Sequence, residues 1–369
     1  MSQFDIVIVG GGIAGASLGA QLGDQASVLI LDQEESAGYH ATGRSVAFWE
    51  ETYGGPQVQP LTTASGPLLH APDPAFASRS FLTPRQTLFV GRDADRGERD
   101  RLVRDFAGRV ELRPVEPAAL LPGLRADWTV GLLEPRVCDI DVAALHQAYL
   151  RRFHAQGGQL QLGTAFHKAV AAPGGWRIQT SNGVIDCGII VNAAGAWADD
   201  VAQRSGVTPI GIRPLRRTVV QLRVPALPSA DLPLVMDLGS QFYFKPEGEG
   251  RIWLTPHDEE PSPPCDAAPE ELAVAQAIAR FEDVVDWPVE AVERKWAGLR
   301  SFAPDRAPVY GFDAEAPGFF WFAGQGGFGI QTAPAAALMG AALLMGDAFP
   351  SIVEAIDPGT YSPRRFSRK

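Results

Sequence analysis

Three glycines, Gly10, Gly12 and Gly15, and one acid, Asp32, are the residues of this chain whose types and spacing most directly describe a chemistry. Gly10 permits a tight turn out of a strand. Gly12 lacks a Cβ, so the backbone can come close to a pyrophosphate, and Gly15 lets a helix lie close on its strands. Asp32 can accept hydrogen bonds from both ribose hydroxyls, and its charge repels a 2′-phosphate. A G-x-G-x-x-G match alone is weak, but here both flanks agree. Ile6-Val7-Ile8-Val9 reads as a buried parallel strand, Ile13 to Leu22 as a helix rich in small residues, and Ser27 to Leu31 as a second strand ending at Asp32. That is a βαβ unit of about thirty residues, the size of a dinucleotide-binding fingerprint. The N–H groups at the helix start, with their partial positive charge, face the phosphates. The alternative is a glycine-rich turn with no ligand.

Two more segments repeat this logic. Gly188 to Val191 is an apolar strand running into the small residues Asn192 to Ala196, with Trp197 and a helix from Ala198 to Arg204 behind. Such a strand end is where a doubly wound sheet holds its ligand, or else a close helix–strand contact. Gly318 to Ala323 is a strand, Gly324 to Gly329 a glycine-rich turn, and a long helix follows from Gln331 or Thr332 to Met345. Between these segments, Tyr39 to Ser45 is either a continuation of the cofactor wall or a surface loop. Ser45 is a good N-cap, so Ser45 to Trp49 is expected to open a helix.

The elements that must position these groups alternate between two kinds of chain. Residues 83–135 and 207–297 are richer in proline and charge, with strands at Leu88–Val90, Val219–Val224, Phe242–Lys245 and Ile252–Leu254, an exposed loop at 255–269 and an amphipathic helix from Pro269 to Phe281. The expected fold is α/β: a Rossmann-like dinucleotide domain (1–82, 136–206 and 298–369) with an interleaved α+β substrate domain built on an antiparallel sheet (83–135 and 207–297).

The 369 residues suffice for two domains. Apolar content of 46% and charged content of 20% are those of an ordinary globular protein. The net charge of −11 argues against nucleic acid as a partner. Cys138, Cys187 and Cys265 have no short spacing, and the 6 histidines form no H-x-x-x-H pair, so neither a disulfide framework nor a metal is expected. The N-terminus runs straight into a strand without a basic and then apolar leader. Ala333 to Met345 is too short to span a bilayer. The expected location is the cytoplasm, with no transmembrane segment.

Taken together, the Gly10–Gly15 segment with Asp32, the Val191–Trp197 stretch and the Gly324–Thr332 turn resemble the D-amino-acid oxidase superfamily of FAD enzymes, which includes glycine oxidase, sarcosine oxidase and the bacterial D-amino-acid dehydrogenases. Gly38 to Ser45 and Trp296 to Phe302 are most similar to the bacterial D-arginine dehydrogenases. The resemblance implies FAD held non-covalently, since no cysteine lies in these segments. Its contacts are implied at Gly10, Gly12, Ile13, Ala14, Gly15, Asp32 and Gln33, at His40, Thr42, Arg44 and Ser45, and at Ala194, Gly195 and Trp197. They continue at Gly298 and at Gly326, Gly327, Phe328, Gly329, Ile330, Gln331 and Thr332. It implies a substrate carboxylate held by Arg300 and Tyr243, with Tyr53 and Arg217 as further pocket residues. An arginine fork fits a carboxylate through two parallel hydrogen bonds and thereby aims Cα–H at flavin N5. Thr87 stands where the D-arginine enzymes carry a glutamate for the basic side chain, and Phe48 where they carry a histidine. A buried cation without a partner costs several kcal/mol, so a neutral or apolar amino acid is expected. The implied reaction is oxidative deamination of a D-amino acid, glycine or an N-alkyl amino acid, with a quinone, dye, electron carrier or oxygen as acceptor, by a monomer or homodimer. A 2-hydroxy acid needs the same clamp and is the first rival. A non-catalytic flavin-binding protein is the second.

Overall fold

The computed structural model describes residues 2–23, 25–225, 231–248 and 250–366. Five strands run parallel in the spatial order Phe319–Ala323, Gly183–Asn192, Ser2–Val9, Val28–Leu31 and Gln159–Gln161. The strands Phe166–Ala172, Gly175–Thr180 and Val309–Phe312 extend this sheet antiparallel. The central strand is apolar on both faces, as burial on both faces of a parallel sheet requires. Ile6 and Ile8 enter one core with Leu18 and Met339, while Val7 and Val9 enter the other with Trp321 and Val201. The helices Ile13–Leu22, Val142–Ala155 and Gly329–Met345 cover the first face. Gly15 is a packing requirement: a Cβ there would overlap the carbonyl of Gly10.

The second sheet has ten strands and is mostly antiparallel. Its long pair is Arg213–Arg223 against Ala291–Phe302, and Tyr243–Gly248 lies two strands beyond. The helix Glu271–Val284 buries Val274, Ala277 and Phe281, at spacings of three and four, in one cluster with Val220, Leu222, Phe244 and Leu254 of this sheet. A small third sheet joins Phe48–Trp49, Cys138–Ile140 and Leu82–Pro84.

Three expectations are corrected. Ser45 to Trp49 is not a helix. Phe48 and Trp49 pair as a strand with Asp139 and Cys138, and the Trp49 indole donates to the Thr62 carbonyl at 2.8 Å. Tertiary pairing overrides the capping signal there. The last helix begins at Gly329, two residues before Gln331, because Phe328 caps it from the glycine turn. The 255–269 loop is not simply exposed. Glu260–Pro261 pairs with Leu215 and Arg216, and Ala267 is buried. The helix Gln59–His70 gave no readable signal, because Pro60, Pro67, Gly66 and two threonines lower its propensity. It is held by burial of Leu61, Thr62, Ser65 and Leu69.

Candidate functional site: a glycine-walled cleft lined by Arg217 and Arg300

One cavity runs from the carboxyl ends of the parallel strands to the face of the second sheet. Its empty space, open mouth included, is about 1880 Å³. Its lining runs without a break from the glycine turn after the first strand to the strands of the second sheet. The structure brings to this wall Gly10, Gly12, Ile13, Ala14, Asp32 and Gln33 from the first unit, and His40, Thr42, Arg44 and Ser45 from the next loop. It adds Ala194, Gly195 and Trp197, then Gly298, then Gly326, Gly327, Gly329, Ile330 and Gln331. Arg300, Tyr243, Tyr53 and Arg217 line the same cavity. Gly15, Phe328 and Thr332 do not reach it. Gly15 lies within the helix Ile13–Leu22 against Gly10 and Ile8, Phe328 packs on Phe302 and Val58, and Thr332 donates its hydroxyl to the Phe328 carbonyl at 2.8 Å.

The nucleotide end is built from backbone. Gly10 sits at φ +110, and a Cβ there would overlap the Ala193 carbonyl on the neighbouring strand. Asp32 accepts from Gly11 N at 2.8 Å through Oδ2 and from Glu34 N at 2.9 Å through Oδ1. These bonds orient the carboxylate and leave one lone pair on each oxygen. Burial nevertheless pushes its pKa up, against the pull of those two N–H groups. Thr42 accepts from Ile13 N at 2.9 Å and so ties the second small-residue loop to the helix start. Arg44 donates to the carbonyls of Ala267 at 2.9 Å and Ala297 at 3.0 Å and pairs with Asp266, which draws the 255–269 loop across the cleft.

The substrate end is built from side chains on paired strands. Arg300 is opposite Leu215, Arg217 opposite Gly298, and Val219 opposite Trp296. Residues that alternate along paired strands share one face, so both arginines point from the same side of the sheet. Arg300 is half-buried and donates to the Tyr53 hydroxyl, and among the described residues it has no carboxylate partner. Burial, with Arg306 beside it, pulls its pKa down to about 9. Arg217 is 5% exposed. It donates through Nε to the Asp258 carbonyl at 2.7 Å, and its Nη1 has no partner among the described residues. Tyr243 is buried and its phenol pushed up to about 12, first by burial. Phe48 packs edge-on against Tyr53 and Tyr243, with centroids 5.0 and 5.6 Å away.

Sequence reasoning missed several groups. His146 lies buried under the glycine turn, with Nε2 at 3.0 Å from the Gly11 carbonyl, and burial lowers its pKa. The carbonyl is an acceptor only, so Nε2 carries the proton. Cys265 lines the cavity beside Trp197, although it belongs to no glycine segment. Glu50, Glu51 and Glu134 are all buried, and the Glu50 carboxylate accepts from Thr87 Oγ1 at 2.6 Å. Thr87 thus has a carboxylate from position 50 within hydrogen-bonding distance, outside the cavity lining. A run of apolar and small residues with acids inside it gives no periodic signal that would place them indoors.

The chain matches the family described as DAO, FAD dependent oxidoreductase, over residues 5–343, and belongs to it. It is 25% identical over 361 residues to the bifunctional protein ThiO/ThiG of Nostoc sp., covering 92% of this chain and 52% of that protein. It is 30% identical over 232 residues to the hydrogen cyanide synthase subunit HcnC of Pseudomonas aeruginosa, covering 61% of this chain and 52% of that one. The chain thus spans about half the length of these curated relatives. The fold is that of L-proline dehydrogenase from P. horikoshii (TM-score 0.85, 21% identity, 99% and 98% of the two chains) and of glycine oxidase from Geobacillus kaustophilus (0.82, 21%, 97% and 99%). It is also that of L-alpha-glycerophosphate oxidase from Mycoplasma pneumoniae, solved with FAD bound (0.84, 17%, 94% and 95%). FAD is the cofactor of this family, and the cleft fits it: an acid oriented by two N–H groups at the second strand end, the small-residue walls Gly10–Ala14 and Ala193–Ala196, and two helix starts facing one cavity. Among the described residues no helix is long and apolar enough to cross a membrane.

Proposed function

We propose that the protein oxidises the CH–NH2 or CH–NH bond of a small amino acid with a neutral or apolar side chain, of D configuration or achiral. The observation that carries this reading is Arg300, a guanidinium without a carboxylate partner at the inner end of a cleft shaped for FAD. Bound FAD supplies a hydride acceptor at N5. The chain itself does the rest. Arg300 takes the substrate carboxylate through a two-pronged contact, with Tyr243 and Tyr53 as hydroxyl donors. Arg217 Nη1 is a further donor in reach of the same end. Phe48 with the two tyrosines forms an aromatic wall that excludes water and turns Cα towards the flavin site. No side-chain base is needed once the amine is neutral, because its own lone pair assists loss of hydride. The start of the helix Gly329–Met345 faces the site and favours negative charge there.

The likeness of Gly38–Ser45 and Trp296–Phe302 to bacterial D-arginine dehydrogenases supports the clamp, while Thr87 and Phe48 support a different side-chain preference. We place the division between cofactor and substrate domains at 1–82, 136–206 and 298–369 against 83–135 and 207–297. FAD is held without a covalent bond, in a cytoplasmic monomer or homodimer that passes electrons to oxygen, a quinone or another carrier. Acid precipitation tests the first point directly now that Cys265 is known to line the cleft: yellow colour left in the pellet would refute it. The function itself is tested by mixing the oxidised protein anaerobically with panels of amino acids and of 2-hydroxy acids and following flavin bleaching. Bleaching by hydroxy acids alone would overturn the amine reading in favour of its rival.

A further inference from the structure

We propose that Glu50 and Glu134 share one proton through the Thr52 hydroxyl, and that this proton positions the turn bearing Tyr53, which makes Glu50 a positioning residue for substrate-carboxylate binding. The inference rests on the reading of Arg300 and Tyr53 as the carboxylate clamp. It starts from a count of protons. Thr52 Oγ1 lies 2.6 Å from Glu134 Oε2 and 3.2 Å from Glu50 Oε1. A hydroxyl has one proton to give, and the short contact claims it for Glu134. With both carboxyls ionised, Glu50 Oε1 then faces an oxygen across 3.2 Å with no hydrogen between them. One proton on either carboxyl completes the chain: Glu50 Oε1–H donates to Thr52 and Thr52 to Glu134, or Glu134 Oε2–H donates to Thr52 and Thr52 to Glu50. Thr87 Oγ1 donates to the other oxygen of Glu50 at 2.6 Å, and Glu51 N donates to Glu134 Oε1 at 2.9 Å.

No cation relieves the pair. Glu50 is 1% exposed and Glu134 2%, and among the described residues neither has an ion-pair partner. The groups packed on them are Glu51 from the same turn, Thr87 from the strand Thr87–Gly91, Tyr243 from the strand Tyr243–Gly248 and Gln331 from the last helix. All are neutral or acidic. Two ionised carboxylates so placed repel each other in a poorly solvated site, so one proton stays. In agreement, burial pushes Glu50 up to about 7 and Glu134 well above the usual carboxylate range.

The pair is also a joint. Glu50 to Tyr53 belongs to the segment after the Phe48–Trp49 strand, whereas Thr87 and Glu134 are opposite each other in the second sheet. On its far side the turn is pinned by Gln331. That side chain accepts from Glu50 N at 3.1 Å and donates to the Tyr53 carbonyl at 3.1 Å. Losing the shared proton breaks the side facing the substrate sheet and loosens Tyr53 against Arg300.

The test uses the FAD-loaded protein and benzoate as the carboxylate probe, with binding read from the flavin spectrum across pH on the acid side of the Arg300 titration. In the parent, benzoate affinity is expected to fall about tenfold per pH unit once the pair loses its proton. Glu50→Gln puts an amide N–H where the shared proton sits. It is expected to bind benzoate within about threefold of the parent at the acid end, the size of one neutral hydrogen bond, and to show no such fall. Steady-state kinetics should place the same limb in KM and not in kcat. An infrared carbonyl band of a protonated carboxyl, present in the parent at neutral pH with or without ligand and absent in Glu50→Gln, reports the proton itself. A profile that bends at the same pH in Glu50→Gln and parent overturns the proposal, as does a missing band. The band does not depend on the clamp. Parent-like benzoate binding in Arg300→Ala would instead remove the clamp reading while leaving the shared proton standing.

Discussion

The two ends of the cleft are built by opposite means. At the nucleotide end, backbone N–H groups, one short acid and missing Cβ atoms do the work, and almost all of it lies within Gly10 to Asp32. At the substrate end, long side chains converge from Arg217, Tyr243 and Arg300, brought together by strand pairing, and from Tyr53 on a turn pinned by Gln331. The nucleotide end spreads its binding over many weak donors. The substrate end concentrates it in one or two buried charges. On the proposed reading, loss of the Arg300 charge should therefore be more damaging than loss of any single group at the first end.

The sharpest way to break that contrast is Arg300→Ala. The expected loss is about 3–5 kcal/mol in kcat/KM with FAD content unchanged, because the substrate carboxylate is left unpaired in a dry pocket. Arg300→Lys restores only part, since an ammonium cannot make the forked contact. Steady-state rates on the best substrate decide it, and parent-like values would move the carboxylate to Arg217.

The next effect is on stability. Glu50 is raised in the folded protein to about 7 from an ordinary 4.5. A raised carboxyl contributes stability that is complete below the unfolded pKa and is lost as pH rises through the folded one. Melting temperature should therefore fall as pH rises from about 4.5 to 7. Glu50→Gln should flatten that slope, and thermal scans across pH would show whether it does.

Asp32→Ala tests the distributed end. It removes two ribose hydrogen bonds and frees Gly11 N and Glu34 N, for about 1.5–3 kcal/mol in FAD affinity. The fold and any flavin loaded at high concentration should survive. Equal FAD dissociation constants in mutant and parent would show that the acid does not hold the ribose. Tyr243→Phe should be the mildest, about 0.5–3 kcal/mol in kcat/KM for a single donor. A loss as large as that of Arg300→Ala would mean that the clamp is shared equally, and the contrast drawn here would fail.

By itself the sequence determined the dinucleotide half of this protein. The glycine spacing, the β-branched strand before it and the acid after it are local, because a βαβ unit closes on itself within thirty-odd residues and Gly15 answers a steric demand from Gly10 and Ile8 in the same unit. The three glycine-rich segments, the FAD family and the helix Ala198–Arg204 were legible for the same reason. Only the tertiary structure decided the rest. The pairing of Phe48–Trp49 with Cys138 and Asp139, the helix Gln59–His70 and the register that aims Arg217 and Arg300 from one face all depend on partners distant in the chain. The same holds for Glu50, Glu51 and Glu134. Acids on a turn read as solvated, and nothing in their own spacing shows that strands from a second sheet close over them and take away the water that would keep them charged.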